Sequence, residues 1–274
     1  MAASALAGLR RYLLRLLRQS RDRLLKLVGL QLPPAAPPLL LQHDSYRRSL
    51  PVLCFGDSLT EGYHGVWIHP EFSPADRVPF DGSGHEIGHV RFRPYGVRLG
   101  AALASDAADG AEGYKAALRY AVTRAYSGFT AEALQPMLGA ALRERPWRCA
   151  CILAGTNDVV LEGADASTVL SRIEALHDAC DQAGLPVIAV TLPDADLKHH
   201  GMVPPAEAEE RRAVLAAVAE GIARSCRRRK RPLADARADL PLGPELYDDC
   251  LHPSPAGSDK LAECLYDAIH QHRL

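Results

Sequence analysis

From residue 51 onward the chain alternates short β-rich runs with longer stretches of helical periodicity, and this alternation narrows its possible folds more than any other feature. Candidate strands are Val52–Phe55, Tyr120–Arg124, Cys149–Ala154, Pro186–Leu192 and Pro232–Ala236. Helical patterns fill 94–107, 130–144, 166–183, 205–228 and 255–272. Strands separated by helices predict βαβ units, and therefore a parallel sheet with helices on both faces. Ligands of such open sheets bind just outside the carboxyl ends of the strands. The residues that follow each strand are thus where chemistry is expected.

The first strand runs into Gly56-Asp57-Ser58-Leu59-Thr60-Glu61-Gly62. A serine just past a buried strand, between two glycines, suits an exposed hydroxyl on a turn that enters a helix. A nearby helix N-terminus favours the negative charge that develops on such a nucleophile. The competing use is structural, since Asp57 or Ser58 can equally cap the helix. Near the other end stands Asp249-Cys250-Leu251-His252-Pro253. An acid three residues before a histidine can hold its Nδ1–H, leaving Nε2 free to take a proton from Ser58. Asn157, after the third strand, carries a side-chain N–H suited to an oxyanion, and Gly128, after the second, allows a close backbone N–H. Taken singly, both are also common turn residues. Together the strand ends supply a nucleophile, a base with its orienting acid, and two oxyanion donors, which is a full set for acyl transfer.

In their order, Gly-Asp-Ser-Leu at 56–59, Ser127-Gly128, Gly155-Thr156-Asn157-Asp158 and the Asp249/His252-Pro253 segment resemble the SGNH/GDSL hydrolase family of esterases and lipases. The resemblance spans about residues 51–272. It implies a three-layer α/β/α flavodoxin-like fold with a five-stranded parallel sheet, Ser58 as nucleophile, and the Asp249/His252 pair. It further implies an oxyanion hole of the Ser58 N–H, Gly128 and Asn157, with neither an organic cofactor nor a metal. Arg93-Pro94-Tyr95 and Leu99 look like the family's segment after the first block. Two departures stand out: Cys250 replaces a small or polar residue, and the 63–92 insert, with Trp67 and Phe80, is longer than in compact members. That insert is expected to shape an acyl pocket or a lid.

The formal net charge of −1 hides an asymmetry. Residues 1–50 hold nine Lys/Arg against two Asp/Glu, and the remainder is acidic. An acidic body argues against nucleic acid as the main partner. In the basic arm, Leu6, Leu9, Leu13, Leu16, Leu17, Leu24 and Leu27 fall at helical spacing, with Arg11, Arg15 and Arg18 largely off that stripe. The arginines interrupt any apolar run long enough to span a membrane and break up a secretory h-region. An organelle transit peptide, a helix on an anionic membrane surface (peripheral contact through residues 6–28), and a helix docked on the body all fit. Pro33, Pro34, Pro37 and Pro38 then form a stiff linker. Two regions are expected: an arm and linker over 1–49 and a hydrolase domain over 50–274. The partner expected is a small-molecule or lipid ester, and no motif bears on oligomeric state. A catalytically silent domain of the same fold, recruited to a membrane by its basic helix, is the alternative.

Seven cysteines lack any Cys-x-x-Cys pair, which favours reduced thiols and an intracellular setting, cytoplasmic or organellar. His85-Glu86-Ile87-Gly88-His89 matches a zinc-protease pattern, but that chemistry needs a helix and Gly88 interrupts it. The Arg227–Arg231 run reads as the cationic end of a long helix in preference to a nuclear signal. His199 and His200, on the loop after the fourth strand near the expected cleft rim, read as exposed loop residues in preference to substrate contacts.

Overall fold

The computed structural model describes residues 49–64, 85–87, 90–106 and 120–274. All lie in the second of the two units into which the chain divides, Ala36–Leu274. The helix and stiff linker expected over residues 1–49, and Trp67 and Phe80, fall largely outside the described residues.

Five parallel strands make the central sheet: β1 (Val52–Gly56), β5 (Ala121–Ala125), β6 (Ala150–Leu153), β7 (Val187–Val190) and β8 (Leu233–Ala234). Their order across the sheet is β5-β1-β6-β7-β8. Counting these strands alone, that is the 2-1-3-4-5 order of flavodoxin-like folds. Every residue of β1, β6 and β7 is buried, as expected for a parallel strand covered on both faces. Helices supply those covers. On one face α2 (Tyr95–Asp106) packs against α7 (Pro255–Gln271), which also contacts the short α6 (Ala236–Asp239); on the other, α3 (Ala131–Glu144), α4 (Ala166–Gln182) and α5 (Ala208–Arg229) lie side by side. The result is the three-layer α/β/α architecture.

Local sequence explains where these helices begin and which face they bury. Thr130 caps α3 by accepting from the Ala133 N–H at 3.3 Å, and Ala131, Leu134, Leu138 and Ala141 form its buried stripe. Asp165 caps α4 with bonds from the Ser167 and Thr168 N–H groups. Ser254 caps α7, with Pro255 in the first helical position. The corner before α7 thus owes its geometry to Ser254 and Pro255 as well as to Pro253, which forms a lone bridge with Tyr247. Only the first three arginines of the 227–231 run end α5. Lys230 turns left-handed at φ 53°, and Arg231 folds inward, buried between Asp181 (2.6 Å) and Glu174 (3.6 Å).

Part of the insert forms a small antiparallel sheet, in the order β2-β4-β3, from Tyr63–His64, Val90–Phe92 and His85–Ile87. The described start of the zinc-protease pattern, His85–Ile87, is therefore a strand and not the helix that such chemistry needs. Gly88 and His89 lie outside the described residues.

Candidate active site

The register of the sheet brings the expected residues to one edge. Gly56 pairs with Ala125 of β5 and with Leu153 of β6, so three neighbouring strands end level. Ser58, Gly128 and Asn157 follow these three ends within a few residues. The β1–β6 boundary is where the strand order reverses, the usual opening of a ligand crevice in this topology.

Ser58 is the first residue of α1 (Ser58–Glu61), a single turn capped by Asp57, whose Oδ1 accepts the Leu59 N–H at 3.0 Å. The cap is therefore Asp57, and Ser58 is left for other work. Two glycines make so sharp a turn possible. At Gly56 a Cβ would come within 1.9 Å of the Leu153 carbonyl oxygen, and at Gly62, left-handed at φ 71°, within 2.0 Å of the Arg93 carbonyl oxygen. On the far side of the edge, Asp249 is fully buried, and its Oδ1 accepts the backbone N–H groups of Leu251 (2.7 Å) and His252. Its Oδ2 lies 2.9 Å from His252 Nδ1, and His252 Nε2 lies 3.0 Å from Ser58 Oγ. Ser58, His252 and Asp249 thus form one continuous hydrogen-bonded chain across 194 residues of sequence separation.

The Asn157 and Gly128 loops are tied to each other. Asn157 Nδ2 donates to the Phe129 carbonyl at 3.0 Å, which fixes the amide plane and leaves its second N–H free to aim elsewhere. Gly128 sits at φ 78°, a backbone state that side chains resist. Beneath them Asp158, fully buried, accepts the Ala131 N–H at 2.8 Å and the Arg172 guanidinium at 2.8 Å. It pins the start of α3 to the end of β6. Burial pushes the Asp158 carboxyl upward, and the Ala131 N–H and Arg172 oppose that shift.

Three further side chains bear on this edge: Tyr63 escaped the sequence reading, whereas Asp57 and His200 were read only as a cap candidate and a loop residue near the cleft rim. Tyr63, directly after Gly62, packs its ring 4.8 Å from the His252 ring and 5.5 Å from Phe92. Its position next to the serine turn was the available signal. Asp57 keeps its second carboxylate oxygen sealed from solvent, with no partner among the described residues. Burial, with Asp158 adding, raises this carboxyl to about 7 against the Leu59 N–H and His252. His200 is 5% exposed, contrary to the expectation of an exposed loop residue, whereas His199 is exposed as expected and lies 2.7 Å from Asp196. Cys250, the departure inside the Asp–His segment, is buried. Burial, then the carboxylates of Asp249 and Asp196, pushes its thiol up to about 11, so it remains protonated.

Comparison with known proteins agrees with this geometry. The model of the GDSL-like lipase/acylhydrolase family matches residues 54–260, a span that holds every residue of the constellation. Among solved structures, a GDSL-like lipase from Bacteroides thetaiotaomicron is similar at 14% identity and TM-score 0.58, over 92% of this chain and 97% of that one. An aryl esterase from M. smegmatis is 17% identical with TM-score 0.56, over 81% and 99%. A carbohydrate acetylesterase from Sinorhizobium meliloti is 20% identical with TM-score 0.55, over 81% and 99%. No curated protein matches the sequence. With three quarters of its length matched by the family model and the fold shared, the chain belongs to the GDSL-like lipase/acylhydrolase family.

Proposed function

We propose that the protein hydrolyses carboxylic esters by serine-dependent acyl transfer. The observation that carries this reading is the unbroken link from Ser58 Oγ through His252 to Asp249. His252 Nε2 takes the Ser58 proton as Oγ attacks the ester carbonyl, and Asp249 holds the imidazolium that results. The tetrahedral oxyanion is received by the Ser58 N–H, the Gly128 N–H and the Asn157 amide. His252 then gives its proton to the departing alkoxide, and the acyl group stays on Ser58. Water, deprotonated by the same histidine, attacks this ester in turn and frees the acid. Small to medium acyl groups are the proposed substrates. Residues 6–28, basic and amphipathic in pattern, are proposed to govern where the enzyme works, at an anionic membrane surface or inside an organelle.

The test is hydrolysis of p-nitrophenyl acetate by the full chain and its Ser58→Ala variant. The wild type is expected to turn over, and the variant to fall by about 10⁴-fold or more. Equal, near-background rates from both would favour the alternative of a silent domain with the family's fold.

A further inference from the structure

The loop that leaves β7 runs from residue 191 to a short 3₁₀ turn at Pro205–Glu207 and carries a histidine that the mechanism above does not use. It is anchored at two points. Asp194 binds Arg212 at 3.1 and 2.6 Å and Arg237 at 3.2 Å. The Asp196 N–H donates to the Cys250 carbonyl at 2.8 Å, in the middle of the Asp249–His252 turn. Within one tight turn of that anchor, His200 N–H donates to the Leu197 carbonyl and the Val203 N–H to the His200 carbonyl. This fixes the backbone on both sides of the buried ring.

The ring itself is short of partners. Among the described residues Nδ1 has no hydrogen bond and is sealed from solvent, which leaves Nε2 as the nitrogen that can meet a ligand. Burial, then the charge of His252, pushes His200 down to about 4, while Asp249 pulls the other way. His200 is therefore neutral at neutral pH and within electrostatic reach of both residues. A neutral imidazole carries one N–H. A sealed, unpaired donor is the harder of the two states to tolerate, so that hydrogen belongs on Nε2.

Its location says which half of an ester it would meet. Gly128 and Asn157 receive the carbonyl oxygen, whereas His252 hands its proton to the departing alcohol. The Asp196–Cys250 bond ties this loop to the His252 turn, and His200 feels the charges of His252 and Asp249, so the geometry assigns the ring to the side from which the alcohol half leaves. We propose that His200 is a specificity-determining residue whose Nε2–H donates to an oxygen on the alcohol half, favouring esters of polyols or sugars over esters of plain alkyl alcohols. The inference rests on the esterase reading and deepens it. An alkyl alcohol would cover the same N–H without pairing it, and that loss selects against it.

The experiment compares kcat/KM of the full chain for 1-butyrylglycerol and ethyl butyrate, which share an acyl group. The wild type is expected to prefer the glycerol ester by about tenfold, the scale of one neutral hydrogen bond. His200→Gln puts an amide N–H near the place of Nε2 and should keep most of that ratio. His200→Asn puts its amide near Nδ1 and should bring the ratio close to one. Both variants should still react with a fluorophosphonate at Ser58, which reports an intact triad. A wild-type ratio near one, or equal ratios in Gln and Asn variants that are still labelled, overturns the assignment. Failure of the esterase reading looks different: the wild type would neither take the label nor hydrolyse either ester.

Discussion

Two aspartates flank the same serine, both shut off from solvent, and their surroundings treat them in opposite ways. Asp249 uses both oxygens, taking two backbone N–H groups on one and facing the His252 ring with the other. Asp57 uses one oxygen, for the Leu59 N–H, and its other oxygen has no partner among the described residues. Burial alone therefore does not make a catalytic carboxylate. Donors make the difference, because a buried negative charge is tolerated only where hydrogen bonds replace the lost water. On the proposed mechanism Asp249 holds an imidazolium, whereas Asp57 caps a helix at low charge.

The largest way to break this contrast is at Asp249. Asp249→Asn keeps the shape but can no longer hold Nδ1–H against a negative charge, so the wrong tautomer faces Ser58. A loss in kcat on the order of 10⁴-fold is expected in a p-nitrophenyl ester assay, with the fold retained by circular dichroism. A smaller loss, about 10²–10³-fold, is expected for Asn157→Ala, which removes one oxyanion donor and leaves the proton path intact.

The mildest test is at Asp57 and reads stability. Its folded value, about 7, lies above the ordinary 3.8. Between those values the folded state holds a proton that the unfolded chain has released, so stability is whole below about pH 4 and is lost as pH rises to about 7. The loss amounts to roughly 4 kcal/mol at most. Asp57→Asn keeps an acceptor for the Leu59 N–H and cannot ionise. Chemical denaturation across pH 4–8 should show the wild type weakening relative to this variant as pH rises. Parallel curves for the two would mean that Asp57 is ionised throughout.

The same contrast explains what could be read in the sequence. The hydrogen-bonded grouping of Ser58, His252 and Asp249 was legible because its signals are local: a serine between Gly56 and Gly62, and an acid three residues before its histidine. The five strands of the main sheet were legible too, since buried parallel strands read as apolar runs, and their ends fell within two residues of expectation. The burial of His200 was not legible. It depends on the Asp196–Cys250 bond between segments more than fifty residues apart, and no local pattern encodes such a fold-back. The small β2-β4-β3 sheet escaped for another reason, because strands of two or three residues are too short to show alternation. The inward turn of Arg231 was hidden inside a run of like charges, where only partners on α4 decide which arginine is buried.

The most direct test of the whole reading is reaction of the full chain with a fluorophosphonate, followed by peptide mass spectrometry. One adduct per chain is expected, on the peptide that contains Ser58, with labelling slowed sharply in His252→Ala and Asp249→Asn and absent in Ser58→Ala. Labelling at another residue, or unchanged labelling in the His252 and Asp249 variants, would contradict a nucleophile activated through that chain of hydrogen bonds.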